Sequence, residues 1–487
     1  MKLSSLSRMA LGIRRQTLGL ALAVAAPLLF SPLLLADPGD VSAPMPTPAP
    51  APTAAVAGLT LEDCYREVLK NNLNVRMAKT QFESATGEKI QLESRALPRI
   101  GLGMAAGQQG WRQNQPYARD FIIVQGRLGQ RLFDAAIPAS FRLGKLDLAI
   151  AEQRFNGTLL LELSGMRQAF YQAIKSREES AIRRSIKERV AANLRATENQ
   201  FTVGKVSRRE VNQARGRLSA LEPALVSAEA DYRQNRIKLA QFLGCDIGAD
   251  NAATLDAGLP IPLGTLEPQP LTVDFPTEIA YTLAHRSDIL ALRLAITATQ
   301  EQRSMTRAGY WPTINLEASN TYIPSNPLEK TGDINQQRGD NKESSTLNFG
   351  PSLSWTIWDE GRIRGQTIQI DAAREIYEMT LKRIEDDVPR NLKQVASGLE
   401  TVAAQLEGSD QLVALADRNL QQVEAQIANG ELPQLDFLNA ERNLLQARLN
   451  RLRALLNNNI AVTQFDLITG RYLEFISQLP ADTSAAP

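Results

Sequence analysis

The chain has 487 residues, is 43% hydrophobic but only 6% aromatic, and its 54 Lys plus Arg nearly cancel 53 Asp plus Glu. A chain so close to neutral lacks the basic face a nucleic-acid surface needs to displace phosphate counterions. One His and two distant Cys fit no zinc spacing, and no Gly-rich phosphate loop or nucleophile elbow occurs, so no enzyme activity, cofactor or metal is expected.

In chain order, residues 1–36 read as a signal peptide. Lys2, Arg8, Arg14 and Arg15 precede an apolar run from Leu18 to Leu35, which Pro27 and Pro32 interrupt. Residues 37–58 form a Pro/Ala-rich linker with alternating prolines at Pro44, Pro46, Pro48, Pro50 and Pro52. Beyond residue 36 no apolar run reaches the roughly 18–20 residues of a spanning helix, so any membrane span of the mature chain must be made of strands.

The remainder is one plan written twice. Asn74-Val75 matches Asp288-Ile289, and Leu97-Pro98 matches Trp311-Pro312, both 214 residues apart. Gly204, Glu210, Ala214 and Gly244 match Gly430, Asp436, Ala440 and Gly470, each 226 apart. The first structural repeat is read as 59–258 and the second as 259–477, with 478–487 a disordered tail.

Each copy opens with a helix of roughly 35 residues, Leu61 to Ala96 and Pro276 to Gly309, stopped by a proline. Two strands follow. In Ser345 to Asp359 the odd positions Leu347, Phe349, Leu353, Trp355 and Ile357 alternate with Thr, Asn, Gly and Ser, a period-2 pattern with one apolar face. Ile314, Leu316 and Ala318 begin its partner, and 100–106 and 121–133 are weaker counterparts. Then come helices of roughly 100 Å, Ala135 to Phe201 and Gly361 to Asn429. Mixed three- and four-residue apolar spacing marks them as coiled-coil-like, and each turns at a glycine and returns. Gly157, Gly165, Pro223 and Pro389 are expected to kink the helices they occupy.

Four strands per chain cannot close a barrel in lipid, where open edges are not tolerated and about eight is the smallest number. Three chains would supply twelve. The pattern of a Gly, five residues, an acid, three residues and an Ala recurs at the two turns, Gly204 to Ala214 and Gly430 to Ala440. With the opening Leu59-Thr-Leu-Glu-Asp-Cys-Tyr-Arg and the closing Asp466-Leu-Ile-Thr-Gly-Arg, the chain from 59 to about 475 resembles the TolC outer-membrane efflux family.

The resemblance implies a mixed α/β membrane protein: a homotrimer with a twelve-stranded β-barrel in the outer membrane, continuous with a periplasmic α-helical coiled-coil barrel. It implies a passive exit duct for small toxic molecules, fed through a periplasmic adaptor (a membrane fusion protein) by an inner-membrane transporter. The same fold could serve a one-step, type I protein-secretion machine. A non-conducting periplasmic scaffold is a third reading, opposed by the lipid-facing stripes.

Asp436 is expected in an acidic ring at the periplasmic aperture, with Asn439 three residues on and Glu210 its counterpart in the first repeat. The plainer reading of Glu210 and Asp436 is an acid favoured at a helix N-terminus. The expected adaptor-docking tips are Gly204, Val206, Ser207, Gly430, Leu432 and Pro433. Where the family pattern has a latch Tyr and Arg, this chain has Ile427 and Leu432. His285 is read as structural. Tyr310, Trp311, Tyr322, Trp355 and Trp358 suit a membrane-interface belt, with buried packing as the alternative. Cys64 and Cys245 fall at the same height, which permits a disulfide, although two buried free thiols are the favoured reading.

Overall fold

Thr60 starts the first helix. Its hydroxyl accepts from Asp63 N (3.3 Å) and its own N–H donates to the Asp63 carboxylate (3.1 Å), a capping box. The computed structural model describes residues 58–109, 119–245, 258–271, 273–323, 344–429, 432 and 434–471. The expected signal peptide, the expected linker up to residue 57, the expected tail, and the tip residues Gly430 and Pro433 lie outside the described residues.

Helix α1 (Leu61–Asn71) ends sooner than the sequence suggested. Asn72 is extended (ψ 126°), and its side chain accepts from Val75 N to cap α2 (Leu73–Glu93). The second copy breaks in the same place: α5 (Phe275–His285) stops at the extended Arg286, and α6 (Ser287–Arg307) follows. Each expected 35-residue helix is therefore two. An Asn cap sets the first break, because its side chain supplies the partner that a helical turn would have supplied.

A short parallel pair joins β1 (Gly58–Leu59) to β4 (Ile261–Pro262). The main sheet holds β2 (Arg99–Gln109), β3 (Arg119–Phe133), β5 (Thr313–Ile323) and β6 (Ser344–Ser354), antiparallel, in the order β2-β3-β5-β6. The last strand ends at Ser354, not at Asp359 as its alternation suggested. Beyond it Trp355 Nε1 donates to Tyr310 O (3.1 Å), and the Asp359 carboxylate accepts from Gly361 N and Ile363 N. These groups open the next helix instead of continuing the ladder.

The register decides the faces, since residues directly opposite in a pair share one side. Ile100 faces Leu128, Leu128 faces Ala318, and Ala318 faces Phe349; Ile314 faces Leu353. The opposite side carries Arg127, Gln125, Ser319, Glu317 and Ser352. Leu102 is 82% exposed and Phe349 71%, so the apolar side is uncovered in the protomer. Pro351, which has no N–H to give a ladder, is tolerated because β6 is an edge strand.

The two long helices are α3 (Ile137–Thr202, 66 residues) and α7 (Arg362–Ala428, 67 residues), roughly 100 Å each. They return as α4 (Arg208–Leu243) and α8 (Gln434–Thr469), both 36 residues long. Pro223 and Pro389 sit inside unbroken helices. Near the sheet the helices lie side by side as α2-α3-α6-α7, and towards the tips as α4-α3-α8-α7. Layers of buried apolar residues hold this arrangement. One, at the level of α1, includes Tyr65, Leu163, Met166, Ile174 and Leu239; another, nearer the tips, includes Ile186, Val190, Leu420, Phe437 and Leu444.

Candidate functional site: the hairpin tips and the sheet

The first tip turns through Gly204, whose φ of +74° is a left-handed conformation that disfavours a side chain. Ser207 then caps α4: its Oγ accepts from Glu210 N (3.3 Å) and donates to the Glu210 carboxylate (3.0 Å). Glu210 is thus engaged at its own helix N-terminus. Val206 is half-buried and Ser207 exposed.

At the second tip Asp436 lies in the first turn of α8 and is half-buried, while Asn439 is exposed. The residues around them are apolar and inward: Phe437, Leu438 and Ala440 are buried. Ile427 and Leu432, which stand where the family pattern has polar latch residues, pack on that same cluster. This cluster also contains Ile186 and Val190 of α3 and Leu221 of α4, so apolar packing joins the two hairpins near the tips.

One polar group interrupts it. Glu441 on α8 is 1% exposed, and neither of its carboxylate oxygens has a hydrogen-bond partner. Arg189 Nε of α3 lies 3.5 Å from Glu441 Oε1, while an Nη of the same guanidinium donates to Glu424 of α7 (3.2 Å). Burial pushes the Glu441 carboxyl above the usual range, against the pull of Arg189. Sequence reasoning did not single out Glu441. The available signal was a lone Glu among the apolar positions Leu438, Leu444 and Leu445 of its helix.

Four of the five aromatic residues fall at one end of the sheet, while Tyr322, also exposed, lies at the far end of β5. Tyr310 and Trp311 precede β5, and Trp355 and Trp358 follow β6; all four are exposed in the protomer. Buried packing does not describe them there. His285 is also exposed, stacked on the Tyr281 ring at 4.3 Å, with Nδ1 3.0 Å from Tyr281 O. Among the described residues no three His, Cys, Asp or Glu converge on a metal-sized space. The Cys64–Cys245 bridge is not formed. Both thiols are free, Cys64 buried in the core and Cys245 exposed just past the left-handed Gly244. Burial pushes the Cys64 thiol up to about 12.

Comparison with known proteins places this geometry. The outer membrane efflux protein family model matches twice, over residues 64–245 and 279–471. The outer membrane protein TolC of Vibrio cholerae is 19% identical over 87% of this chain and 93% of its own length. The cation efflux system protein CusC of Escherichia coli K12 is 21% identical over 78% and 80%. Among solved structures, the Campylobacter jejuni CmeC outer membrane channel superposes with a TM-score of 0.68, covering 86% of this chain and 89% of that one at 15% identity. The chain belongs to the outer membrane efflux protein family, the homotrimeric channels by which tripartite efflux systems cross the outer membrane.

Proposed function

We propose that this chain is the passive exit duct for small toxic molecules, taking them from an inner-membrane transporter through a periplasmic adaptor and releasing them outside the cell. The observation that carries this reading is the four-stranded sheet with one uncovered apolar face and two unpaired edges, β2 and β6, continuous with helices of roughly 100 Å. Unpaired edges in hydrocarbon leave backbone groups unsatisfied, each at a cost of several kcal/mol. Pairing β6 of one copy with β2 of the next, around three copies, removes every edge. The helices then continue the barrel as a tube that carries no energy source of its own.

The periplasmic aperture is assigned to Asp436 and Asn439. Glu210 takes a smaller part, because its carboxylate is already held by Ser207. Three Asp436 carboxylates crowding one opening would favour cations. The docking surface is assigned to the tips: Gly204, Val206 and Ser207 on one hairpin, Gly430, Leu432 and Pro433 on the other.

Sedimentation in mild detergent, corrected for bound detergent, should give three chains; a monomer with a folded sheet would end the duct reading. In planar bilayers Asp436→Ala should weaken cation selectivity, while Asp410→Ala, whose carboxylate pairs with Arg451 away from the tips, should not. Equal selectivity in both variants and the parent removes Asp436 from the aperture. A Gly430→Val protein should form trimers but export poorly if the tips dock the adaptor, and normal export removes that assignment.

A further inference from the structure

The four helices near the tips meet around a charge that ordinary packing would avoid. A carboxylate taken out of water is expensive unless it is paired and hydrogen-bonded. Glu441 is 1% exposed, has no hydrogen bond to either oxygen, and shares its nearest cation with another acid. Replacing it by a leucine would simply complete the apolar layer of Leu420, Leu438 and Leu444. A buried acid so poorly served is a poor structural element, but it is a responsive one.

We propose that Glu441 is a proton-controlled joint between the two hairpins: neutral, it lets α8 pack against α3, and ionised, it drives them apart and loosens the lower tube. Charged groups reach it from every helix of the layer. Arg189 comes from α3, Arg217 from α4, Glu424 from α7, and Arg448 from α8 itself. Burial raises the Glu441 carboxyl most. Arg189 opposes that rise, Glu424 adds to it, and Arg448 and Arg217 oppose it more weakly. Arg189 is the only one of these within ion-pair distance of Glu441, and it is divided between Glu441 and Glu424.

The sign follows from linkage. Parting α3 from α8 rehydrates Glu441 and returns its carboxyl towards the ordinary glutamate range. The packed arrangement therefore holds the proton more tightly than the parted one. Its advantage is complete below the ordinary glutamate range and is lost as pH rises through the raised value of the packed state. The periplasmic end of the duct should thus be tighter in acid and looser towards neutral pH. For its role in gating, this inference rests on the duct reading above.

The test uses the full-length trimer. In planar bilayers the parent's open probability should rise with pH above the ordinary glutamate range. Glu441→Gln, which mimics the neutral acid, should lose that rise and stay at the acid level. Arg189→Gln leaves the carboxylate with no close cation, so its transition should move to higher pH; a merely structural role would change the level without moving the midpoint. Infrared difference spectra read the proton independently of conduction: a protonated-carboxyl band should titrate above the ordinary range in the parent and vanish in Glu441→Gln. A parent that does not conduct counts against the duct, and the band still decides the joint. An unchanged pH profile in Glu441→Gln, an unmoved midpoint in Arg189→Gln, or a band present in both proteins overturns the proposal.

Discussion

Replacing Asn72 by Ala should loosen the junction where the first repeat changes helix. The side chain is 3% exposed and fully used: Oδ1 accepts from Val75 N (3.0 Å), and Nδ2 donates to Phe242 O (2.8 Å) and Glu162 (3.0 Å). Losing the cap costs about 1 kcal/mol. Stranding the Phe242 carbonyl adds about 1–2 kcal/mol. The Glu162 carboxylate loses less, because Asn74 Nδ2 still donates to its other oxygen (2.8 Å). The total, about 2–4 kcal/mol, corresponds to a roughly 30- to 700-fold larger population of the locally open state. Hydrogen exchange by mass spectrometry, on peptides covering α1, the start of α2 and the end of α4, reads that opening directly. Asn74→Ala removes one exposed hydrogen bond from the same carboxylate and should change exchange by less than about fivefold. Equal exchange in the two variants, or protection in Asn72→Ala matching the parent, would refute the assignment of Asn72 as the pin of this junction.

Two glycines share a left-handed backbone but not a neighbourhood. A Cβ on Gly204 (φ +74°) meets nothing within 4 Å, whereas one on Gly244 (φ +68°) falls 2.5 Å from Asn71 O. Gly204→Ala should therefore cost only about 1–2 kcal/mol of backbone strain, and Gly244→Ala visibly more in thermal unfolding; the reverse order would contradict the turn geometry. The cysteines should differ as sharply. At neutral pH the folded protein should be alkylated at exposed Cys245 and not at Cys64, whose thiol burial pushes up to about 12. After denaturation without reductant both should react, and a single reactive thiol, or none, would mean that something other than two free cysteines is present.

The architecture was legible because it is written in long periodic signals. Strict alternation from Leu347 to Leu353 reads directly as a strand with one apolar face, and the helical stretches were bounded within a few residues by Gly204 and Pro98. What was not legible depended on tertiary partners. The sequence from Leu61 to Ala96 has helical periodicity throughout, and the break at Asn72 draws on acceptors across the bundle, Phe242 O and Glu162, as well as on the local cap to Val75 N. The alternation through Trp355 and Ile357 continues past the true strand end. It fails there because Asp359 offers its carboxylate to the next helix, a local bond that competes with the ladder. Glu441 was hidden for the opposite reason: a Glu on a helix reads as a solvated face until the packing of four helices encloses it.

The repeats also diverge where they meet the middle of the bundle, and the divergence follows the side chains available. Arg286 occupies the position of Asn72, yet it makes no side-chain cap and pairs instead with Asp288 (2.9 Å). The second junction is held from outside by Arg471, which reaches Glu278 (2.6 Å) and lies over the Tyr281 ring. Between the repeats, residues 259–269 run along the helices with little secondary structure, so their backbone groups must find side-chain partners. Arg236 donates to Leu259 O and Pro260 O, Arg177 to Pro262 O and Gly264 O, and Asn459 to Glu267 O, while Asn458 accepts from Gln269 N. Arg236 and Arg177 belong to the first hairpin and Asn458 and Asn459 to the second. The connecting segment is therefore bound to both halves of the duplication, and ties the hairpins together well above the joint at Glu441.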